Sequence, residues 1–175
     1  MPPNLPPNYL AGYPAAHIEQ VQRLIEKGRL ADMLRGKYPQ AHGVRTDKAL
    51  YDYVLDLKNT CLRNVGQVSR VAFDSKLHVI RNALGMHTRI SRVQGAKLLT
   101  KREIRIATVF REMPPEFLRM IVVHELAHFR ERDHDKAFYQ LCRYMEPDYA
   151  QLEFDLRVYL TYLEAGGVAL WPGGC

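Results

Sequence analysis

The stretch MIVVHELAHF, Met120 to Phe129, constrains this chain more than any other, because it is too apolar to lie in water yet holds two histidines and a glutamate. Buried imidazoles and a buried carboxylate need partners, since an unpaired polar group in apolar surroundings is costly. Pro114-Pro115 stands just upstream, and proline is tolerated in a first helical turn. The pattern therefore predicts a long helix from Pro115 to Arg132, with Leu118, Ile121, Val122, Leu126 and Phe129 on its apolar face. Residues four apart on a helix differ by about 40° around its axis, so His124 and His128 project from one side, one turn apart.

That separation suits two ligands of a tetrahedral metal, and one cation would satisfy the whole buried set. Glu125 follows His124 directly, close enough to reach a water at an open coordination position but displaced from the ligand direction. A zinc-type ion lowers the pKa of its water toward about 7, and a carboxylate so placed takes the proton. The third ligand is expected to be His134, six residues after His128. The resulting H-E-x-x-H-x5-H spacing matches the metzincin signature, except that Glu131 occupies its glycine position, so the turn out of the helix must be made otherwise, with Asp133 as candidate. The rivals are Glu146 and Glu153, acidic ligands on a following helix in the manner of thermolysin-like sites. Three imidazoles suit zinc best, with nickel, cobalt, manganese and iron as alternatives. His17, His42, His78 and His87 show no ligand spacing and are assigned to structure or surface.

Around this helix the sequence predicts an α+β chain. Residues 1–14, with five prolines, read as an irregular lead-in; residues 15–165 as the hydrolase domain; residues 166–175 as an irregular tail. One amphipathic helix is expected from Ala15 to about Arg35, and a second from Thr46, whose hydroxyl can cap it, to Gly66. Short alternating segments follow at 68–74, 76–82, 95–99 and 103–110. They suggest a small, largely antiparallel sheet in which the first two form a tight hairpin. Asp133 or Asp135 should cap a helix ending near Met145, and a last helix should run from Asp148 to Ala165.

Composition excludes some classes. No apolar run approaches the roughly 20 residues of a membrane span, and the proline-rich start has no basic or apolar region of a secretory signal. A cytoplasmic protein is expected. Cys61, Cys142 and Cys175 are an odd set without a C-x-x-C pair, which argues against a disulfide framework or a thiolate cluster. The net charge of +6 makes nucleic acid or another polyanion a candidate partner. Oligomeric state is not legible.

Beyond these local readings, the runs MIVVHELAHFRERDHDKAFYQLCRYMEPDY, TDKALYDYVLDLKN, RVQGAKLLTKREIRIATVF and QLEFDLRVYLTYL resemble metal-dependent hydrolases of the YgjP-like family, from about Tyr9 to Leu163. The resemblance implies a zincin-like domain in which a small sheet packs on the motif helix. It implies His124, His128 and His134 as metal ligands and Glu125 as the catalytic glutamate. It leaves the scissile bond open: the family is classed with metallopeptidases, is similar to zincin domains that cut proteins crosslinked to DNA, and has bacterial members described as UTP pyrophosphatases.

A peptide substrate needs a free strand edge beside the helix, for which 103–110 is the candidate. A nucleotide substrate needs cations aimed at phosphates, for which Arg89, Arg92, Lys97, Lys101, Arg102 and Arg105 are the candidates. A binding module with a structural zinc is disfavoured by Glu125, because such a site has four protein ligands and no use for a base.

Overall fold

The computed structural model describes residues 8–77, 85–94 and 97–173, with 85–94 and 97–101 as backbone. Two short helices begin the chain, α1 (Ala15–Glu26) and α2 (Leu30–Lys37). A single helix was expected here. The apolar spacing does continue across the junction, but Gly28 takes φ +64°, a left-handed turn that ends α1 and redirects the chain. Helix α3 (Asp47–Cys61) starts where the sequence places it, with the Thr46 side chain accepting from the Ala49 N–H at 3.1 Å.

Three strands form one sheet: β1 (Val68–Asp74), β2 (Gly85–Gln94) and β3 (Lys97–Ala107), in the order β1-β3-β2. β2 runs antiparallel to β3, whereas β1 runs parallel to it, so the sheet is mixed and not largely antiparallel. The physical reason lies in β3. Ile104 and Ile106 alternate along it and are fully buried, which gives β3 the central place, while the charged sequence of β2 occupies an edge. The segments 95–99 and 103–110, read as two strands, supply one: residues 97–107 are continuous strand and Thr108–Glu112 are a 3-10 turn. The proposed hairpin between 68–74 and 76–82 falls largely on residues 78–82, outside the described residues.

Helix α4 (Pro115–Ala127) carries the motif and is buried from Phe117 through Ala127 except at the half-exposed Arg119. A helix apolar on nearly every side has no solvent face to offer. It is accordingly enclosed by α3, α5 (Lys136–Met145), α6 (Tyr149–Glu164), β2 and β3. It ends at Ala127, short of the expected Arg132, because the Phe129 and Arg130 N–H groups turn back onto Leu126 and Ala127. Asp135, one of the two expected caps, opens α5 by accepting from the Phe138 N–H at 3.0 Å. Among the described residues no helix is long and apolar enough to cross a membrane.

Candidate metal centre

Helix α4 and the connection that follows it bring the histidines together. His124 lies within α4, His128 caps its C-terminal end, and His134 sits in the short connection to α5. The turn after α4 is made without glycine: the Glu131 N–H bonds the Ala127 carbonyl at 2.9 Å, and the Glu131 carbonyl accepts from His128 Nδ1 at 3.0 Å. Capping of α5 by Asp135 then holds the neighbouring His134 against the helix. The Nε2 atoms converge, with His134 Nε2 lying 3.1 Å from His128 Nε2 and 3.2 Å from His124 Nε2. Two ligands at about 2.0–2.1 Å in a tetrahedron are about 3.3–3.4 Å apart, so the spacing is near that of a zinc-type site.

Electrostatics agree with geometry. Burial holds His124 well below the ordinary imidazole range, and the neighbouring His128 and His134 add to that. Burial also lowers His128, opposed by its hydrogen bond to Glu131, and lowers His134, with the Arg157 charge adding to the effect. The three rings are therefore neutral, which leaves acceptor lone pairs for a cation. His128 must carry its proton on Nδ1, because its partner there is a carbonyl, and so Nε2 is the free acceptor.

Glu125 is only 1% exposed, and its Oε2 is one of the buried side-chain atoms with no hydrogen-bond partner among the described residues. Burial pushes its carboxyl up to about 8. A cation and a water beside it would satisfy both the charge and the unpaired oxygen. The donor set fits a divalent metal: three neutral imidazoles, and a carboxylate with no structural partner for one oxygen.

The rival ligands are engaged elsewhere. Glu146 pairs with Arg119, and Glu153 pairs with Arg157 at 3.1 Å. Neither joins the three-histidine group.

Strand register divides the six candidate cations between two parities. Register sets Arg89 opposite Arg102, the parity of the buried Ile104 and Ile106. Arg92, Lys97 and Lys101 occupy the alternate positions, the parity of Arg105. Arg102 reaches the Val65 and Phe129 carbonyls and lies over the Phe129 ring at 4.8 Å, while Arg105 pairs with Asp74 at 2.8 Å. The strand edge expected at 103–110 is also taken, since β3 is paired on both sides over Glu103–Ile106.

Three residues of the site went unrecognised in the sequence. Phe138 packs against all three imidazoles, with ring centroids 4.6–5.0 Å away, and forms their apolar wall. The Tyr149 hydroxyl lies 2.7 Å from His124 Nδ1. Arg157 lines a cavity of about 370 Å³ with Tyr13, Tyr139, Tyr149 and Glu153, and its charge lowers both His124 and His134. Phe138 alone had a signal, as the first large apolar residue after the Asp135 cap. The other two are brought in only by packing of α6 on α4.

Comparison with known proteins bears on this geometry. The model of the YgjP-like metallopeptidase domain matches residues 73–159. The UTP pyrophosphatase of Escherichia coli (strain K12) is 58% identical over 158 residues, covering 90% of this chain and 95% of that protein. No solved structure matches the chain.

Proposed function

Because the chain belongs to the YgjP-like family, we propose that it is a metal-dependent hydrolase acting on UTP, with release of pyrophosphate. Hydrolysis is the class on which the family and the E. coli relative agree. The observation that carries the reading is the convergence of three neutral imidazole nitrogens, 3.1 and 3.2 Å apart, beside a buried carboxylate with an unpartnered oxygen. His124, His128 and His134 would hold one divalent ion, zinc by donor type, with nickel, cobalt, manganese or iron able to take the same ligands. When bound, that ion would supply Lewis acidity and bring a water's pKa toward about 7.

Glu125 accepts the proton of the attacking water. The water oxygen bonds to the α-phosphorus, the α–β phosphoanhydride breaks, and pyrophosphate departs with the electron pair. Phe138 shields one side of the imidazoles from solvent. Arg157, which pairs with Glu153 and bonds the Tyr9 carbonyl, is a candidate to face phosphate, because its charge reaches His124 and His134. The free thiols of Cys61 and Cys142 suit the reducing cytoplasm.

A peptide substrate is the second reading, favoured by β2, an edge strand of the sheet that touches α4. Metal-loaded protein assayed in parallel on UTP and on an unfolded protein, with Glu125→Gln as the blank, separates the two. Pyrophosphate release from UTP alone supports the first reading. Cleavage of the protein alone overturns it in favour of the second, and turnover of neither removes both.

A further inference from the structure

The two histidines of α4 are held from behind in different ways. At His128 the partner of Nδ1 is the Glu131 carbonyl, which can only accept. At His124 it is the Tyr149 hydroxyl, which can either donate or accept. A donated hydroxyl proton would leave His124 as the Nε2–H tautomer, with no lone pair facing His134. An accepted one makes it Nδ1–H, with Nε2 free.

His124 Nε2 lies 3.2 Å from His134 Nε2, inside the three-histidine group. A cation held there needs the Nε2 lone pair, so the ring proton sits on Nδ1 and the phenol oxygen accepts it. Tyr149 is fully buried as the first residue of α6, and its N–H is tied to the Glu146 carbonyl at 3.0 Å. The phenol is thus a fixed group, and its 2.7 Å contact with His124 is protected from water.

We propose that Tyr149 is a positioning residue: by accepting from Nδ1–H it holds His124 as the Nδ1–H tautomer and aims Nε2 into the three-histidine cluster. This rests on the metal-centre reading above, though the tautomer itself is a property of the metal-free chain. Carboxylates and carbonyls are the usual partners of a ligand imidazole. A phenol accepts more weakly than a carboxylate and leaves the imidazole less negative, so its effect falls on orientation more than on basicity.

Two measurements test this without recourse to turnover. Nitrogen-15 NMR of the metal-free protein, above the pH of imidazole protonation, should show His124 with a protonated Nδ1 and an unprotonated Nε2. In Tyr149→Phe the two tautomers should mix. Zinc affinity, measured by competition with a chromophoric chelator, should fall about 10- to 100-fold in Tyr149→Phe.

An Nε2–H tautomer in the wild type overturns the proposal. So does a Tyr149→Phe protein that binds zinc as tightly as wild type with His124 unchanged. If Tyr149→Phe does not fold, the wild-type spectrum still decides. A wild type that binds no zinc would sink the metal reading instead, while the tautomer would stand or fall on its own spectrum.

Discussion

Trp171 donates its indole N–H to the Tyr38 carbonyl at 2.7 Å, which ties the last described residues of the chain to the end of α2. The ring is 4% exposed and stands edge-on to Phe117, in the first turns of the motif helix, and to Tyr159 of α6. Truncating a buried tryptophan costs about 3–5 kcal/mol. For a chain of this size that corresponds to a fall of about 6–20 °C in Tm. Calorimetry of Trp171→Ala should find it. A shift within a degree or two would mean that the tail does not brace α4.

Metal binding should be measurable as stability. A ligand at a hundred times its Kd adds about 2.7 kcal/mol to the folded state, or about 5–11 °C in Tm here. Chelator-stripped protein should regain one zinc per chain and show that rise, while His124→Ala and His128→Ala should lose it. Glu146→Gln should keep it, because Glu146 is the partner of Arg119. Full metal retention in both histidine variants would end the assignment of the ligands.

What could be read from the sequence was whatever is decided locally. Thr46 and Asp135 cap their helices as their residue types predict, since a cap needs only the next turn of backbone. The pair His124 and His128 followed from helical spacing in the same way. Strand β2 escaped notice because GMHTRISRVQ alternates polar residues on both faces, and its pairing with β3 gives it form. The parallel alignment of β1 with β3 is non-local, and no turn chemistry announces it. Tyr149 lies 25 residues after His124 and meets it only through the packing of α6. At Gly28 the apolar rhythm runs on while the backbone does not, so periodicity alone joined two helices.

His42 gives the fold a pH dependence of predictable sign. Its Nε2–H donates to the Phe110 carbonyl at 2.6 Å and its Nδ1 accepts from the Val44 N–H at 3.0 Å, so the folded ring is neutral. Burial depresses its affinity for a second proton, with Arg45 adding to the effect and the Phe110 bond opposing it. The unfolded chain takes up that proton near pH 6.5, and the folded chain only at lower pH. In that window the unfolded state binds more protons, so the contribution of His42 is complete above about pH 6.5 and is lost as pH falls through the folded value. Urea unfolding of wild type and His42→Gln, with chelator present, should show a stability difference that shrinks from pH 7.5 toward pH 5. A constant difference would refute the assignment.

Glu125→Gln separates holding the metal from using it. The amide is close in size to the carboxylate, and none of the three histidines depends on Glu125 for a hydrogen bond. Zinc stoichiometry and its stabilising effect should therefore persist. Hydrolysis should not, because glutamine cannot take a proton from water, and loss of a positioned general base costs about a hundred- to ten-thousand-fold in rate. The fall should appear in kcat with KM for UTP little changed, since the residue acts on the attacking water and not on the nucleotide. Because glutamine does not ionise, the metal-free variant escapes the cost of a carboxyl that burial pushes up to about 8, and it should be at least as stable as the metal-free wild type. Wild-type turnover in a metal-loaded Glu125→Gln protein would remove Glu125 as the base and move the search to another acceptor within reach of the histidines.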